Sequence, residues 1–289
     1  MSAIAWLGAG LMGRWMAARL AAAGHEVHVW NRTRAKAEAV EGAIPAASAE
    51  EAVRKAGIVF LMLADARAIE EVLFTAPLDL AGKLVVQMGT IAPSESRAFA
   101  KRCQAQGARY LEAPVLGSQP EAKTGTLIVM AGGRPEDFAR AKALLEVLGK
   151  HVVHLGEVGK ASAMKLAMNM LIATETAAFA LALAWAEREG LEIEAMMEIL
   201  RQSALYAPTF DKKLPRMLAR NYADPNFPTR HLAKDIRLFL EEARALGLRA
   251  EPAEAARAWI EEAMAEFADA DYSAIAEVPR RPSRTSPRP

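Results

Sequence analysis

The run Ile4–Leu20, IAWLGAGLMGRWMAARL, decides how the rest of the chain is read. Ile4 to Leu7 is apolar and reads as a strand. Gly8-Ala9-Gly10-Leu11-Met12-Gly13 follows, and an alanine-rich helical pattern then continues to Ala23 and stops at Gly24. The glycines fall as G-x-G-x-x-G between strand and helix. One glycine turns the chain and a second brings backbone N–H groups up to a pyrophosphate. The third lets helix and strand pack closely, with the helix N-terminus facing the anion. Gly8, Gly10, Leu11, Met12 and Gly13 are therefore the candidate pyrophosphate turn of a dinucleotide-binding domain.

The next element bears on which dinucleotide. Glu26–Trp30 reads as the second strand. NAD-binding chains place an Asp or Glu roughly 20 residues past the first glycine to hold the ribose hydroxyls. Here that place is Asn31-Arg32-Thr33. An acid repels a 2′-phosphate, whereas Arg32 attracts one and Asn31 and Thr33 can hydrogen-bond it. The plainer role for Asn31 and Thr33 is to turn the chain and cap the helix that follows. Arg32 favours NADP(H), with NAD(H) a second possibility.

Outward from there, short apolar runs alternate with helical patterns to about residue 160. Strand candidates are Ile4–Leu7, Glu26–Trp30, Ile58–Leu63, Leu84–Gln87, Arg109–Glu112, Leu127–Ala131 and Val152–Leu155. Runs as continuously apolar as IVFLML suit strands covered on both faces, and the alternation predicts an α/β fold with a doubly wound parallel sheet. Glu112 to Ala131 leaves little room for a crossover helix, so antiparallel pairing is expected in the last strands. From Ala161 to about Ala276 the pattern is almost wholly helical, with breaks expected at Gly190, Pro208, Pro215, Pro225, Pro228, Gly247 and Pro252. Residues 1–160 thus form a Rossmann-type domain and 161–277 an all-helical domain, joined by a long helix. Residues 278–289, basic and proline-rich, are expected to be a disordered tail.

Composition narrows the class. The chain has 289 residues, net charge +1 and one cysteine, Cys103. Nothing in that balance suggests nucleic acid as a partner. A single cysteine allows no internal disulfide and no cysteine-based metal site; a reducing, cytoplasmic setting is expected. The early apolar segment is broken by glycines and Arg14, unlike a signal peptide. The run Leu166–Ala186 contains Asn169 and Glu175, which disfavours a bilayer span. Unbroken, Ala161–Glu189 makes a helix about 43 Å long. It is apolar nearly all round and must be covered on every side, so a second subunit is expected to pack on it.

Lys165 and Asn169, four residues apart, project from one face of that helix in its first turns. Flanked by Met164, Leu166 and Met168, the lysine is placed for partial desolvation, which moves an amine toward the range useful for proton transfer. By pattern alone the plainer reading is favoured, with its stem on apolar surface and the amine in water. A second constellation, Glu112-Ala-Pro114-Val-Leu116-Gly117-Ser118-Gln119, offers backbone N–H groups and a hydroxyl suited to a carboxylate. By spacing alone it is an ordinary turn. Lys234-Asp235 reads as a charged pair on a helix.

Together these motifs resemble the β-hydroxyacid dehydrogenase family from Ile4 to about Phe267. Gly8-x-Gly10-x-Met12-Gly13 is similar to the family's start. Ala113-Pro114-Val115 with Gly125-Thr126-Leu127 is similar to its substrate motif. Gly156, Gly159, Lys165 and Asn169 correspond to its catalytic motif, and Lys234-Asp235 to its distal cofactor motif. The resemblance implies a reversible oxidoreductase acting on a small β-hydroxy acid such as 3-hydroxyisobutyrate. Lys165 is then the catalytic lysine and Asn169 the residue that orients the substrate. Met62, Leu63 and Thr90 contact the nicotinamide half of the cofactor, Lys234 closes over it, and Leu116, Gly117 and Ser118 hold the substrate carboxylate. It also implies dimers, or tetramers built from dimers, through the helical domain. Two departures stand out. Leu116 replaces a serine and Ser118 a glycine of the usual P-V-S-G-G, and Ala161 stands where glycine is usual. The alternatives are a glyoxylate, succinic semialdehyde or tartronate semialdehyde reductase on the same scaffold. An imine reductase typically lacks the lysine. A non-catalytic nucleotide-binding reader loses it and adds extensions.

Overall fold

The computed structural model describes residues 3–75 and 78–282. The strands are β1 (Ala3–Leu7), β2 (Val27–Trp30), β3 (Ile44–Pro45), β4 (Ala56–Leu61), β5 (Leu84–Gln87), β6 (Arg109–Glu112), β7 (Val115–Leu116), β8 (Leu127–Gly133) and β9 (Gly149–His154). Between them lie α1 (Gly13–Ala22), α2 (Arg34–Glu38), α3 (Ala49–Arg54), α4 (Ala66–Glu70), α5 (Pro93–Ala105), α6 (Gln119–Thr124) and α7 (Pro135–Leu148). Helix α4 runs on into a π-helical turn, Glu71–Thr75.

The sheet order is β3-β2-β1-β4-β5-β6-β8-β7, with β9 on β8. It is parallel from β3 through β6. Pairing turns antiparallel where β8 meets β6 and β7, as the short connection demanded, while β8 and β9 are parallel. Both faces are covered, which explains the continuously apolar strands. Ile4, Trp6, Ile58 and Phe60 feed one core together with Met16 and Leu20 of α1. Their neighbours Ala5, Leu7, Val59 and Leu61 feed the other, with Phe99 and Cys103 of α5. Chain reversal about β1 and β4 puts the switch point beside the glycine turn, where such sheets bind ligands.

The remaining helices are α8 (Lys160–Arg188), α9 (Ile193–Gln202), α10 (Pro208–Ala219), α11 (Thr229–Ala245), α12 (Glu251–Phe267) and α13 (Glu277–Arg280). The chain divides into two compact units, Met1–Ala167 and Met168–Pro289, so the boundary falls inside α8. The helical unit has its own core, with Phe179 stacked on Phe210 and with Leu183, Leu232, Ile236 and Ile260 buried. Lys213, held by both oxygens of Asp271 at 2.8 and 2.9 Å, is buried beneath it. Among the large apolar side chains of α8, Met164, Leu171, Leu181 and Trp185 stay exposed.

Some expectations are corrected. Pro215 does not break the chain but lies inside α10. The expected tail does not begin at 278: Val278 is buried in α13. Arg280 bonds Glu187 and Glu277, and Arg281 reaches Glu262 and Glu266. These partners neutralise the charges that made the segment look unfoldable. Residues 283–289 of that expected tail lie outside the described residues.

Candidate active site

The glycine turn is built as its spacing requires. Gly8 has φ +107°, and a Cβ there would sit 2.4 Å from the Met62 carbonyl oxygen. A Cβ on Gly13 would lie 2.0 Å from the Gly8 oxygen, so the helix starts in direct contact with the turn. Gly10 differs: beyond its own chain neighbours, no atom of the described residues lies within 4 Å of its Cβ position. That open space borders the N-terminus of α1, which has no side-chain cap and no acid in its first turn. A bare helix start next to a vacant approach fits a pyrophosphate.

At the end of β2 the three candidates separate. Asn31 Oδ1 accepts from Ala9 N at 3.0 Å, and its Nδ2 donates to the Thr33 carbonyl at 3.0 Å. Asn31 therefore braces the glycine turn, a role the plainer reading came nearer to than phosphate binding. Thr33 occupies the N-cap position of α2 without a side-chain cap bond. Arg32 is exposed and makes no ion pair or hydrogen bond among the described residues. A free guanidinium there suits a 2′-phosphate.

Met62 and Leu63 leave the end of β4, and Thr90 follows β5. Met62 N bonds the Leu7 carbonyl and Met88 N the Leu61 carbonyl. A Cβ on Gly89 would lie 2.5 Å from the Leu63 oxygen, so these two loops touch through backbone. Beneath them Gln87 is fully buried, and neither its Oε1 nor its Nε2 finds a partner among the described residues. Nothing in the sequence singled out Gln87.

Lys165 is buried, 8% exposed, within the first turns of α8. Asn169 lies one turn further on the same helix and is buried too. Its Nδ2 donates to Asp235 Oδ2 at 2.6 Å, and Asn169 Oδ1 has no partner among the described residues. A carboxylate can only accept, so Asp235 dictates which end of the carboxamide faces it. Lys234 Nζ lies 2.7 Å from Asp235 Oδ1. Asp235, which the sequence marked as part of a motif without a role of its own, thus holds both Asn169 and Lys234.

The candidate substrate loop departs from expectation at Ser118. Gly117 has φ +128° and Ser118 caps α6. Ser118 N and Ser118 Oγ both donate to Glu121 Oε2, at 2.7 and 2.8 Å. The two Ser118 donors expected to help grip a substrate carboxylate are thus spent on a carboxylate of the chain itself. Arg14 Nη2 and Trp15 Nε1 donate to Gln119 Oε1, tying this loop to α1. Among the described residues no three His, Cys, Asp or Glu side chains cluster as a metal site.

Known proteins share this architecture. Residues 3–156 match the family model of the NAD binding domain of 6-phosphogluconate dehydrogenase. Residues 159–278 match that described as NAD-binding of NADP-dependent 3-hydroxyisobutyrate dehydrogenase. Glyoxylate/succinic semialdehyde reductase 2 of Arabidopsis thaliana is 34% identical over 95% of this chain and 78% of its own length. 3-Hydroxyisobutyrate dehydrogenase of Pseudomonas aeruginosa is 36% identical over 85% of this chain and 87% of its own. The solved structure of Mycobacterium tuberculosis 3-hydroxyisobutyrate dehydrogenase with L-serine has a TM-score of 0.86 at 29% identity, covering 97% of this chain and all of that one.

Proposed function

On the premise that this chain belongs to the β-hydroxyacid dehydrogenase family and is an NAD(P)-dependent oxidoreductase, we propose that it interconverts a small β-hydroxy acid, such as 3-hydroxyisobutyrate, and the corresponding semialdehyde, with NADP(H) preferred. The observation that carries this reading is Lys165, an amine buried in the first turns of α8.

The cofactor, when bound, donates a hydride to the carbonyl carbon or accepts one from the carbinol carbon. The chain's own residues do the rest. Gly10 leaves the pyrophosphate room, the α1 N-terminus meets its charge, and Arg32 meets the 2′-phosphate. Lys165 gives a proton to the carbonyl oxygen in reduction and removes it from the hydroxyl in oxidation. Asn169, fixed by Asp235, keeps its Oδ1 and one N–H to hold a polar group of the substrate. The exposed Leu171, Leu181 and Trp185 of α8 are covered by a second copy of the chain.

A second reading, reduction of glyoxylate or succinic semialdehyde, is favoured by the Arabidopsis relative's match over 95% of the chain. Following NADPH absorbance with a panel of short hydroxy acids and aldehydes tests both. Turnover of 3-hydroxyisobutyrate with NADP⁺ above all other pairs supports the first reading. Preferred turnover of glyoxylate or succinic semialdehyde replaces it with the second, and no turnover of any hydroxy acid or aldehyde overturns both.

A further inference from the structure

Glu112, the last residue of β6, is fully buried. Its Oε1 accepts from the backbone N–H groups of Gly159, Ala161 and Ser162, at 2.7, 2.8 and 3.3 Å. Its Oε2 accepts from Ser162 Oγ at 2.7 Å and Ser96 Oγ at 2.5 Å. No Lys, Arg or His among the described residues pairs with it. The three N–H groups are ones that the start of α8 leaves without partners inside the helix. The charge is thus met by a helix N-terminus and two hydroxyls instead of a cation.

The surroundings are shaped to this carboxylate. A Cβ on Gly132 would come 2.5 Å from Glu112 Oε1, so a side chain there would push this carboxylate out of place. Gly159 takes φ +99°, which turns its N–H into the cluster. Behind Ser96, the Tyr110 hydroxyl lies 3.1 Å away. Burial raises that phenol well above its ordinary value, so it remains protonated and can donate to Ser96 while Ser96 donates to Glu112.

We propose that Glu112 is a positioning residue for the reaction: a strand-borne cap that fixes the start of α8, and with it Lys165, against the sheet that carries the cofactor loops. In the sheet register Glu112 lies beside Gln87, and Met88-Gly89-Thr90 follow Gln87 directly. The Glu112 carboxylate therefore ties β6, the strand paired with the one that leads into Thr90, to a helix turn that ends three residues before Lys165. A misplacement of about 1 Å at a proton donor can cost on the order of a hundredfold in rate without touching binding. The inference rests on Lys165 being the proton donor.

The test compares purified Glu112→Leu, Glu112→Gln, Ser162→Ala and Lys165→Met by kcat, KM, NADPH affinity and thermal midpoint. Glu112→Leu is expected to lower kcat by about 10- to 100-fold with NADPH affinity unchanged. Glu112→Gln keeps an oxygen for the three N–H groups and should retain most of kcat. Ser162→Ala, which removes one hydroxyl bond and leaves the backbone bonds, should fall between them, and it decides the matter if Glu112→Leu does not fold. Wild-type kcat in Glu112→Leu or in Ser162→Ala overturns the proposal, as does a kcat loss matched by an equal loss of NADPH affinity. An active Lys165→Met instead overturns the assignment of the lysine, a separate failure.

Discussion

Replacing Gly10 by alanine should separate cofactor binding from folding. Gly10 is not among the residues with positive φ, and its Cβ direction is empty for 4 Å. Alanine therefore fits the apo protein without strain, and restricting the unfolded chain should stabilise it by about 0.4–1 kcal/mol. The new methyl group occupies the approach reserved for the pyrophosphate. Pushing the phosphates outward loses on the order of two hydrogen bonds between backbone N–H and a charged oxygen, at about 1.5–3 kcal/mol each. The sum, about 3–6 kcal/mol, weakens binding by roughly 10² to 10⁴-fold. Titration calorimetry with NADPH reads the affinity, and a thermal melt without ligand reads the fold. Gly13→Ala is the contrast: its Cβ meets the Gly8 oxygen at 2.0 Å, so the melt itself should drop. Wild-type NADPH affinity in folded Gly10→Ala would refute the reasoning that this space belongs to the cofactor.

Arg32→Glu should weaken NADP(H) by about 10- to 100-fold, the worth of one charge-assisted contact, while NAD(H) affinity holds or improves; parallel titrations with both dinucleotides check this. Glu121→Gln removes the charge that occupies the Ser118 donors, so KM for carboxylate substrates should fall with little change for neutral aldehydes of the same length. In the helical unit, burial alone would raise the Asp271 carboxyl. The charge of Lys213 and the bonds from Lys213 and Ser273 outweigh it and hold the group below its ordinary value. Its contribution to stability is then present above about pH 4 and lost as acid protonates the folded form. Urea unfolding across pH should show the gap between wild type and Asp271→Asn closing in acid, and Lys213→Met should cost about 3–5 kcal/mol at neutral pH.

What sequence could reveal here was whatever is encoded locally. Strands such as Ile58–Leu61 announce themselves because burial on both faces demands unbroken apolar residues, and the glycine turn because only one residue type tolerates its contacts. β3 and β7 carry no such signal, being two residues each. The Ser118 cap was written in plain sight: Ser118-Gln119-Pro120-Glu121 has the S-x-x-E form of a capping box, with proline in the first turn. Its consequence for the substrate loop follows only once both donors are seen on Glu121. Glu112 and Asp235 were unreadable for a different reason. The hydrogen-bond partners of Glu112 lie 16 to 50 residues away and Asn169 lies 66 from Asp235, and only the folded sheet or helical bundle brings them together. The nearly all-round apolar character of α8 was evident, while the pairing of Arg280 and Arg281 was not, because composition counts charges without their partners.

The central claim is that the Lys165 amine carries the proton. The direct measurement is a single-turnover assay of NADPH oxidation by Lys165→Met at saturating aldehyde, with NADPH affinity determined on the same sample. The account predicts unchanged cofactor affinity and a chemical step slowed by about 10² to 10⁴-fold. A single-turnover rate equal to that of the wild type would contradict it.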